Sequence, residues 1–302
     1  YPIINTALNL VGGKDLAWQE RKAASFVFTP KYCGYDVDRA VLTKSTDGVY
    51  DDAYVPTERF YQPGSGPMLG MAMAISGAAA NPNMGRASTP ALAFLMTVFN
   101  VRLGWWVGNP RSAPSPKATS PWLGLPYTAL ELFGAADDEK NYVNLSDGGH
   151  FENLGVYELL RRGCRYIIAC DSGQDGKFLG EDLGTLIRQA RTDFGIQIEI
   201  DIDRIRARSP AGLSRTHCVV GKIHYLNIPR RNIRTGFLEN EDGGPLMPGS
   251  KPAYEQGYLI YLKPSMTGDE PQDLMEFFKR IPEFPHQSTA DQWFDESQFE
   301  SY

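Results

Sequence analysis

The sequence predicts an α/β fold in which helices flank a central, mostly parallel sheet. Short apolar segments that are typical of strands alternate with longer helical patterns along most of the chain. The alternation is clearest over residues 142–170, where a strand, a helix and a second strand follow in order. The chain of 302 residues is 42% hydrophobic and 22% charged, so it can bury a substantial core.

The amino-terminal half begins with strands and continues into irregular chain. Residues 3–11 and 24–28 are apolar enough to be strands, whereas residues 32–67 are rich in Gly, Asp, Tyr and Pro and predict an irregular excursion. Residues 69–80 are small and apolar, which predicts a tight helix or a packed turn. The five prolines of residues 109–126 exclude a regular helix or a central strand and predict a surface loop.

The carboxyl-terminal half contains clearer elements. Residues 179–194 predict a helix, because their apolar side chains recur at helical spacing on one face. Residues 230–252 are polar and rich in Gly and Pro, which predicts a long hairpin-like loop. The other predicted elements are strands at 196–200, 218–226 and 258–262 and terminal helices at 271–281 and 289–302.

The most informative stretch is 144–155, with the sequence Asn-Leu-Ser-Asp-Gly-Gly-His-Phe-Glu-Asn-Leu-Gly. Asp147 is predicted on a strand-to-helix turn inside a β-α-β unit, where functional groups gather at the carboxyl ends of strands. The two glycines that follow permit backbone angles and close approaches that a side chain would prevent. The alternative is that Asp147 only caps the following helix.

Four stretches of the chain together resemble the patatin-like phospholipases. Asp147-Gly148-Gly149, followed by an Asn-bearing helix, resembles the second catalytic block of that family. Residues 1–9 are similar to the family's strand after the nucleophile region, and residues 72–82 are similar to the Ser-Ala-Ala-Pro block of its active site. Residues 284–295 are similar to a segment of its large bacterial members. The resemblance implies a layered patatin-like fold, with residues 1–228 as the carboxyl-terminal portion of the catalytic domain and 229–302 as an extension packed on it.

The resemblance also implies a function, that of a lipid acyl hydrolase with a serine–aspartate dyad. Asp147 would be the base, and Ser76, Gly77, Gly148 and Gly149 would line the substrate site. No metal and no organic cofactor are implied. The family's Gly-x-Ser-x-Gly motif does not occur in this chain, so we expect the nucleophilic serine upstream of residue 1.

Several alternatives remain open on the sequence. The substrate could be a soluble acyl ester, or the chain could be a non-catalytic scaffold that binds a lipid or a protein. His150 could complete a triad, although nothing in the sequence places it beside a serine, and Ser76 could be a displaced nucleophile. Residues 171–176 contain acids of a partial calcium loop, but further ligands are missing, and a strand-end turn is predicted there.

Charge and hydropathy limit the partners. The net charge is −6 and no basic block stands out, which argues against nucleic acid. Four cysteines without a Cys-x-x-Cys motif favour a reducing compartment, so a cytoplasmic or membrane-associated location is expected. Residues 91–107 are too short and polar for a membrane span. The adjacent Trp105 and Trp106 could lie at a membrane surface or pack in the core.

Overall fold

The computed structural model describes ten stretches of the chain: residues 1–12, 21–35, 53–60, 69–82, 94–96, 103–110, 121–206, 209–225, 255–288 and 293–302, together with residues 230–231 and 238–239. These residues pack as two compact units, Tyr1–Asn153 and Leu154–Tyr302. The predicted division after residue 228 stays a prediction.

The first unit is built on a curled, six-stranded antiparallel half-barrel. The order across the sheet is β4-β3-β2-β1-β6-β5, and each neighbouring pair is antiparallel. The strands are β1 (Ile4–Asn9), β2 (Ala23–Phe28), β3 (Tyr32–Tyr35), β4 (Ala53–Pro56), β5 (Trp105–Gly108) and β6 (Tyr142–Asp147).

The predicted layered α/β fold with a central, mostly parallel sheet is therefore wrong. Only three residues connect β2 to β3, and a parallel crossover needs a dozen or more. Thr29 closes this short connection, because its backbone N–H donates to Tyr32 O (3.0 Å) and its Oγ1 accepts from Tyr32 N–H (3.0 Å). The alternation of strands and helices in the sequence does not reveal which strands pair, and the short hairpin decides the direction here.

The described part of the first unit includes the helices α1 (Thr57–Phe60), α2 (Leu69–Ser76) and α3 (Gly124–Leu132). Helix α2 contacts β1 and β6. Its Ala72 and Ile75 join the buried core that includes Leu8, Val143 and Leu145. Residues 69–80 were predicted as a tight helix or a packed turn, and α2 forms there. Strands β3 and β4 lie in the segment 32–67 that was predicted as irregular chain, and the first three residues of α3 lie in the loop predicted at 109–126.

The second unit contains a mixed sheet in the order β7-β12-β9-β8. Strands β7 and β12 are parallel, and the other two neighbouring pairs are antiparallel. Its strands are β7 (Tyr166–Cys170), β8 (Gln197–Glu199), β9 (Cys218–Tyr225), a two-residue pair β10 (Arg230–Arg231) with β11 (Leu238–Glu239), and β12 (Glu255–Leu262). Its helices are α4 (Tyr157–Arg161), α5 (Glu181–Phe194), α6 (Gln272–Arg280) and α7 (Glu296–Ser301).

The predicted β-α-β unit around Asp147 is also wrong. Strand β6 pairs with β1 and β5 in the first unit, whereas β7 pairs with β12 in the second. Both segments are strands, as predicted, but they belong to different sheets. A 3₁₀ turn (Gly148–His150) follows β6, and the α-helix begins only at Tyr157 rather than near Phe151.

Buried ionic groups lie where the parallel strands β7 and β12 end. Lys263 Nζ is 3.0 Å from Asp171 Oδ2 and 3.9 Å from Asp175 Oδ2. The Tyr261 hydroxyl donates to Asp171, and Gly173 N–H donates to Asp171 Oδ1 at 2.9 Å. Residues 171–176 thus form a strand-end turn whose first acid holds a lysine.

Candidate active site

Asp147 occupies the last position of β6, at the start of the 3₁₀ turn. Its Oδ1 accepts the Gly149 N–H at 2.7 Å, so the carboxylate caps the turn. The side chain is partly exposed. Residues 143, 145 and 147 alternate with 144 and 146 along the strand, which places Asp147 on the face of β6 that α2 covers.

Two glycines follow Asp147 in the turn. A Cβ on Gly148 would lie 2.7 Å from Asn5 O, which is backbone of β1. A Cβ on Gly149 would lie 2.7 Å from Asn153 Oδ1 and 3.1 Å from Asp147 Oδ1. A Cβ at position 148 would collide with backbone, so Gly148 requires glycine and the turn packs tightly against β1. At position 149 the neighbouring atoms belong to side chains that can move.

Ser76 reaches the same part of β1 from helix α2. Its Oγ donates to Asn5 O at 2.7 Å, the carbonyl oxygen against which Gly148 packs. Ser76 therefore ties the end of α2 to β1, and Gly77, which follows it, is exposed. The structure brings Ser76, Gly77 and the Asp147 turn to one region of β1 and β6, but it uses the Ser76 hydroxyl as an anchor.

His150 lies beside a serine after all. Its Nδ1 is 2.9 Å from Ser146 Oγ, and its Nε2 is 3.2 Å from Ala79 O. A carbonyl oxygen only accepts, so Nε2 carries the proton and Nδ1 accepts the Ser146 hydroxyl proton. Burial lowers the pKa of His150, while the negative charge of Asp147 and the bond to Ala79 O oppose that shift. The ring is therefore neutral near pH 7.

The Ser146 hydroxyl is hydrogen-bonded to His150 as an activated nucleophile would be, but a substrate cannot reach it. Ser146 is 0% exposed, and its Oγ also receives the Asn9 Nδ2–H at 3.0 Å. A buried hydroxyl cannot meet an ester carbonyl in this arrangement. The pair instead connects the end of β6 to the segment that follows α2, and so fixes the turn that carries Asp147.

A buried polar network continues from Ser146 along the sheet. Asn9 Nδ2 also donates to Asn144 Oδ1 (2.8 Å), and Asn144 Nδ2 donates to Glu131 Oε1 (3.3 Å). Trp106 Nε1 donates to the same Glu131 oxygen at 2.7 Å. Buried and bonded polar groups of this kind fix one arrangement of strands, so the network holds β1, β5 and β6 in register.

Sequence reasoning missed this network and the role of His150, although the sequence contains a signal for both. Asn144 and Ser146 alternate with Val143 and Leu145 in one short strand, so one face of β6 is polar although all four residues are buried. Ser146 and His150 also flank Asp147-Gly-Gly at a separation of four residues. A turn between them brings the two side chains together.

No serine hydroxyl donates to the Asp147 carboxylate in the part of the chain that the structure describes. Ser214, the other near match to the nucleophile motif, donates to Ile205 O inside the second unit. The expected dyad is therefore not assembled from the described serines.

Apolar surface lies on the helix that carries Ser76. Leu69 is 64% exposed and Met73 is 60% exposed, and Met71 is exposed as well. Trp106 is buried, whereas Trp105 is partly exposed. Of the two alternatives that the sequence left open, packing in the core therefore applies to Trp106 and not to Trp105. Over the described residues, no helix combines the length and hydropathy that crossing a membrane requires.

An open surface depression of about 660 Å³ lies elsewhere in the first unit. Trp122, Tyr127 and Tyr142 line it, with Lys140 and Glu139. Tyr142 begins β6 and Asp147 ends it, a separation of roughly 17 Å along an extended strand. The depression is therefore separate from the Asp147 turn.

Comparison of the chain with protein-family models, with curated proteins and with solved structures gives no match. The resemblance to patatin-like phospholipases therefore depends on the four sequence stretches, and the function it implies is a proposal.

Proposed function

We propose that this chain contributes the carboxylate base, Asp147, to the hydrolysis of lipid acyl esters. The observation that carries the proposal is the position of this carboxylate. It is partly exposed at a strand end, is held by a backbone N–H, and has no serine partner among the described residues. A nucleophilic serine would have to come from a segment other than the described part of the chain.

The geometry supports a base with a fixed direction. The Gly149 N–H bond holds one oxygen of Asp147, and Gly148 packs closely against the backbone of β1. A general base must lie within hydrogen-bond reach of the proton it takes, so a rigid carboxylate is a prerequisite for a dyad. The neutral His150 beside it stabilises the turn and leaves proton transfer to Asp147.

The reaction would proceed in two steps. The serine hydroxyl attacks the ester carbonyl while Asp147 accepts its proton, and Asp147 returns that proton to the leaving alcohol as the acyl-enzyme forms. Water then attacks the acyl-enzyme with the same assistance, which releases the fatty acid and regenerates the serine. The exposed apolar side chains of α2 favour an apolar acyl group as the substrate.

The alternative is a non-catalytic scaffold that binds a lipid or a protein. The observation in its favour is that the hydroxyls of Ser76, Ser146 and Ser214 all donate to other groups. The scaffold hypothesis predicts no ester turnover under any condition, and it leaves the position of Asp147 without a chemical purpose.

Ester turnover by the Asp147→Asn variant tests the proposal. The measurement uses the chain extended by its natural upstream coding sequence, with short-chain and micellar esters as substrates. We expect Asp147→Asn to lower kcat by about 10²–10⁴-fold, which is the usual contribution of a general base.

Asp201→Asn is the matched control. Asp201 Oδ1 accepts the Asp203 N–H at 2.8 Å, the same i,i+2 capping bond that Asp147 makes. The control should keep wild-type turnover. Equal turnover in wild type and Asp147→Asn would refute the role of Asp147, and a complete absence of turnover in the extended wild-type chain would favour the scaffold.

A further inference from the structure

We propose that His217, Asp269 and Glu270 form a binding site for a divalent transition-metal ion, with Zn²⁺ as the best match. His217 directly precedes β9, and the two acids lie in the loop that leaves β12, so all three belong to the second unit. One ligand atom of each residue lies within 4.8 Å of the others. The site is independent of Asp147 and of ester hydrolysis.

A neighbouring serine fixes the orientation and tautomer of His217. Ser265 Oγ donates its own proton to Thr216 O at 3.4 Å, so it accepts from His217 Nδ1–H at 3.1 Å. A neutral His217 therefore presents the lone pair of Nε2 to the acids. Histidine ligands in metal sites are usually held in this way, with the second ring nitrogen donating to a neighbouring acceptor.

The centre of the cluster has more hydrogen-bond acceptors than donors. Thr267 Oγ1 is 3.2 Å from His217 Nε2 and 3.0 Å from Glu270 Oε1, and it also contacts Asp269 Oδ1. The threonine hydroxyl has one proton for these three acceptors. Glu270 Oε1 also accepts the Thr267 N–H at 2.6 Å. The hydroxyl proton can serve only one of the other two acceptors, His217 Nε2 and Asp269 Oδ1, so the remaining one is open to a cation.

The distances suit one small ion. His217 Nε2 is 3.7 Å from Glu270 Oε1. Zinc lies about 2.0–2.2 Å from nitrogen and oxygen ligands, so two ligands of one ion are separated by at most about 4.2 Å. All three ligand atoms lie within 4.8 Å of one another, so rotation of the side chains would bring the wider-spaced atoms to one ion.

The donor set selects the class of metal. Imidazole together with carboxylates suits Zn²⁺, whereas Ca²⁺ and Mg²⁺ favour sites made of oxygen alone. The His217 side chain is 49% exposed and that of Glu270 is 10% exposed, so solvent can reach the cluster. Three protein ligands and an accessible position allow water to complete the coordination.

Calorimetric titration of Zn²⁺ into the chelator-treated 302-residue chain tests the proposal. A Cys170→Ser background removes the exposed thiol as a competing ligand. We expect one binding site, which His217→Ala weakens by more than tenfold. Because Ser265 orients the ring, Ser265→Ala should weaken binding by about 10–100-fold.

His224→Ala is the matched control. His224 Nε2 lies 3.4 Å from Glu199 Oε2, which makes a pair of a half-buried histidine and an exposed carboxylate in the same unit. This control should bind Zn²⁺ like its parent. Glu270→Gln, which keeps an oxygen to accept the loop N–H groups, gives a second variant if His217→Ala does not fold by circular dichroism.

Two results would overturn the proposal. One is unchanged Zn²⁺ affinity in both His217→Ala and Glu270→Gln, which would place the ion elsewhere. The other is an absence of Zn²⁺ binding by the wild-type chain.

Discussion

Replacing Lys263 by Met should destabilise the second unit by about 3–5 kcal/mol. Lys263 is 4% exposed and Asp171 is 2% exposed, and their charged atoms are 3.0 Å apart. Coulomb's law at an effective dielectric constant of about 20 gives an attraction of roughly 5–6 kcal/mol at that distance. The desolvation of both ions offsets part of it in the native protein, but removing one partner leaves the other charge buried and unpaired.

Urea denaturation followed by circular dichroism measures this change, and the exposed pair of Arg206 with Asp203 provides the control. Those side chains are 47% and 52% exposed, so Arg206→Met should cost less than about 1 kcal/mol. Adding Asp171→Asn to Lys263→Met should restore part of the lost stability, because the uncompensated charge disappears. A loss below about 1 kcal/mol in Lys263→Met would show that Asp171 is not buried as an ion beside it.

Three other predictions concern packing, protonation and thiol reactivity. Gly148→Ala should lower the free energy of unfolding by about 1–3 kcal/mol, because the added Cβ would lie 2.7 Å from backbone. Gly124→Ala is the control and should not destabilise the protein, because its Cβ meets nothing within 4 Å. Urea denaturation compares the two variants. Burial, and then a nearby lysine cation, lower the pKa of His286 below its usual 6.5. As the pH falls, the unfolded chain therefore binds a proton at His286 before the folded protein does. The stabilisation that neutral His286 gives the folded state is present above pH 6.5 and is lost as the pH falls through the folded-state pKa. His286→Gln should flatten the dependence of the unfolding free energy on pH in this range, and an unchanged pH dependence would contradict the lowered pKa. Burial raises the pKa of Cys33 to about 12. A disulfide reagent should therefore modify the exposed Cys170 in the native protein and should modify Cys33 only after unfolding. Rapid modification of Cys33 in the native protein would contradict its burial.

The sequence identified many individual elements but not how they pair. Apolar strands such as β1, β6 and β7 and the helix α5 were evident because their patterns are local. The direction of pairing depends on connections and partners distant in the chain, and the periodicity of a strand is the same in a parallel or an antiparallel sheet. The three-residue connection from β2 to β3 requires an antiparallel pair, but residues 32–35 were predicted as irregular chain, so the hairpin was not recognised from the sequence.

The candidate site was predictable in part for the same reason. Asp147 and its glycines are contiguous, so the turn could be anticipated from residue types alone. The contact of Ser76 with Asn5 O and that of His150 with Ala79 O join residues 71 positions apart. Such contacts depend on the fold of the whole unit, and no local sequence pattern predicts them.

The most direct test of the account is the rate at which a fluorophosphonate modifies the extended chain, with the modified serine located by peptide mapping. We expect labelling at a serine outside the described residues, slowed about 100-fold or more by Asp147→Asn and unchanged by Asp201→Asn. Labelling at Ser76 or Ser146, or a rate that does not depend on Asp147, would contradict it.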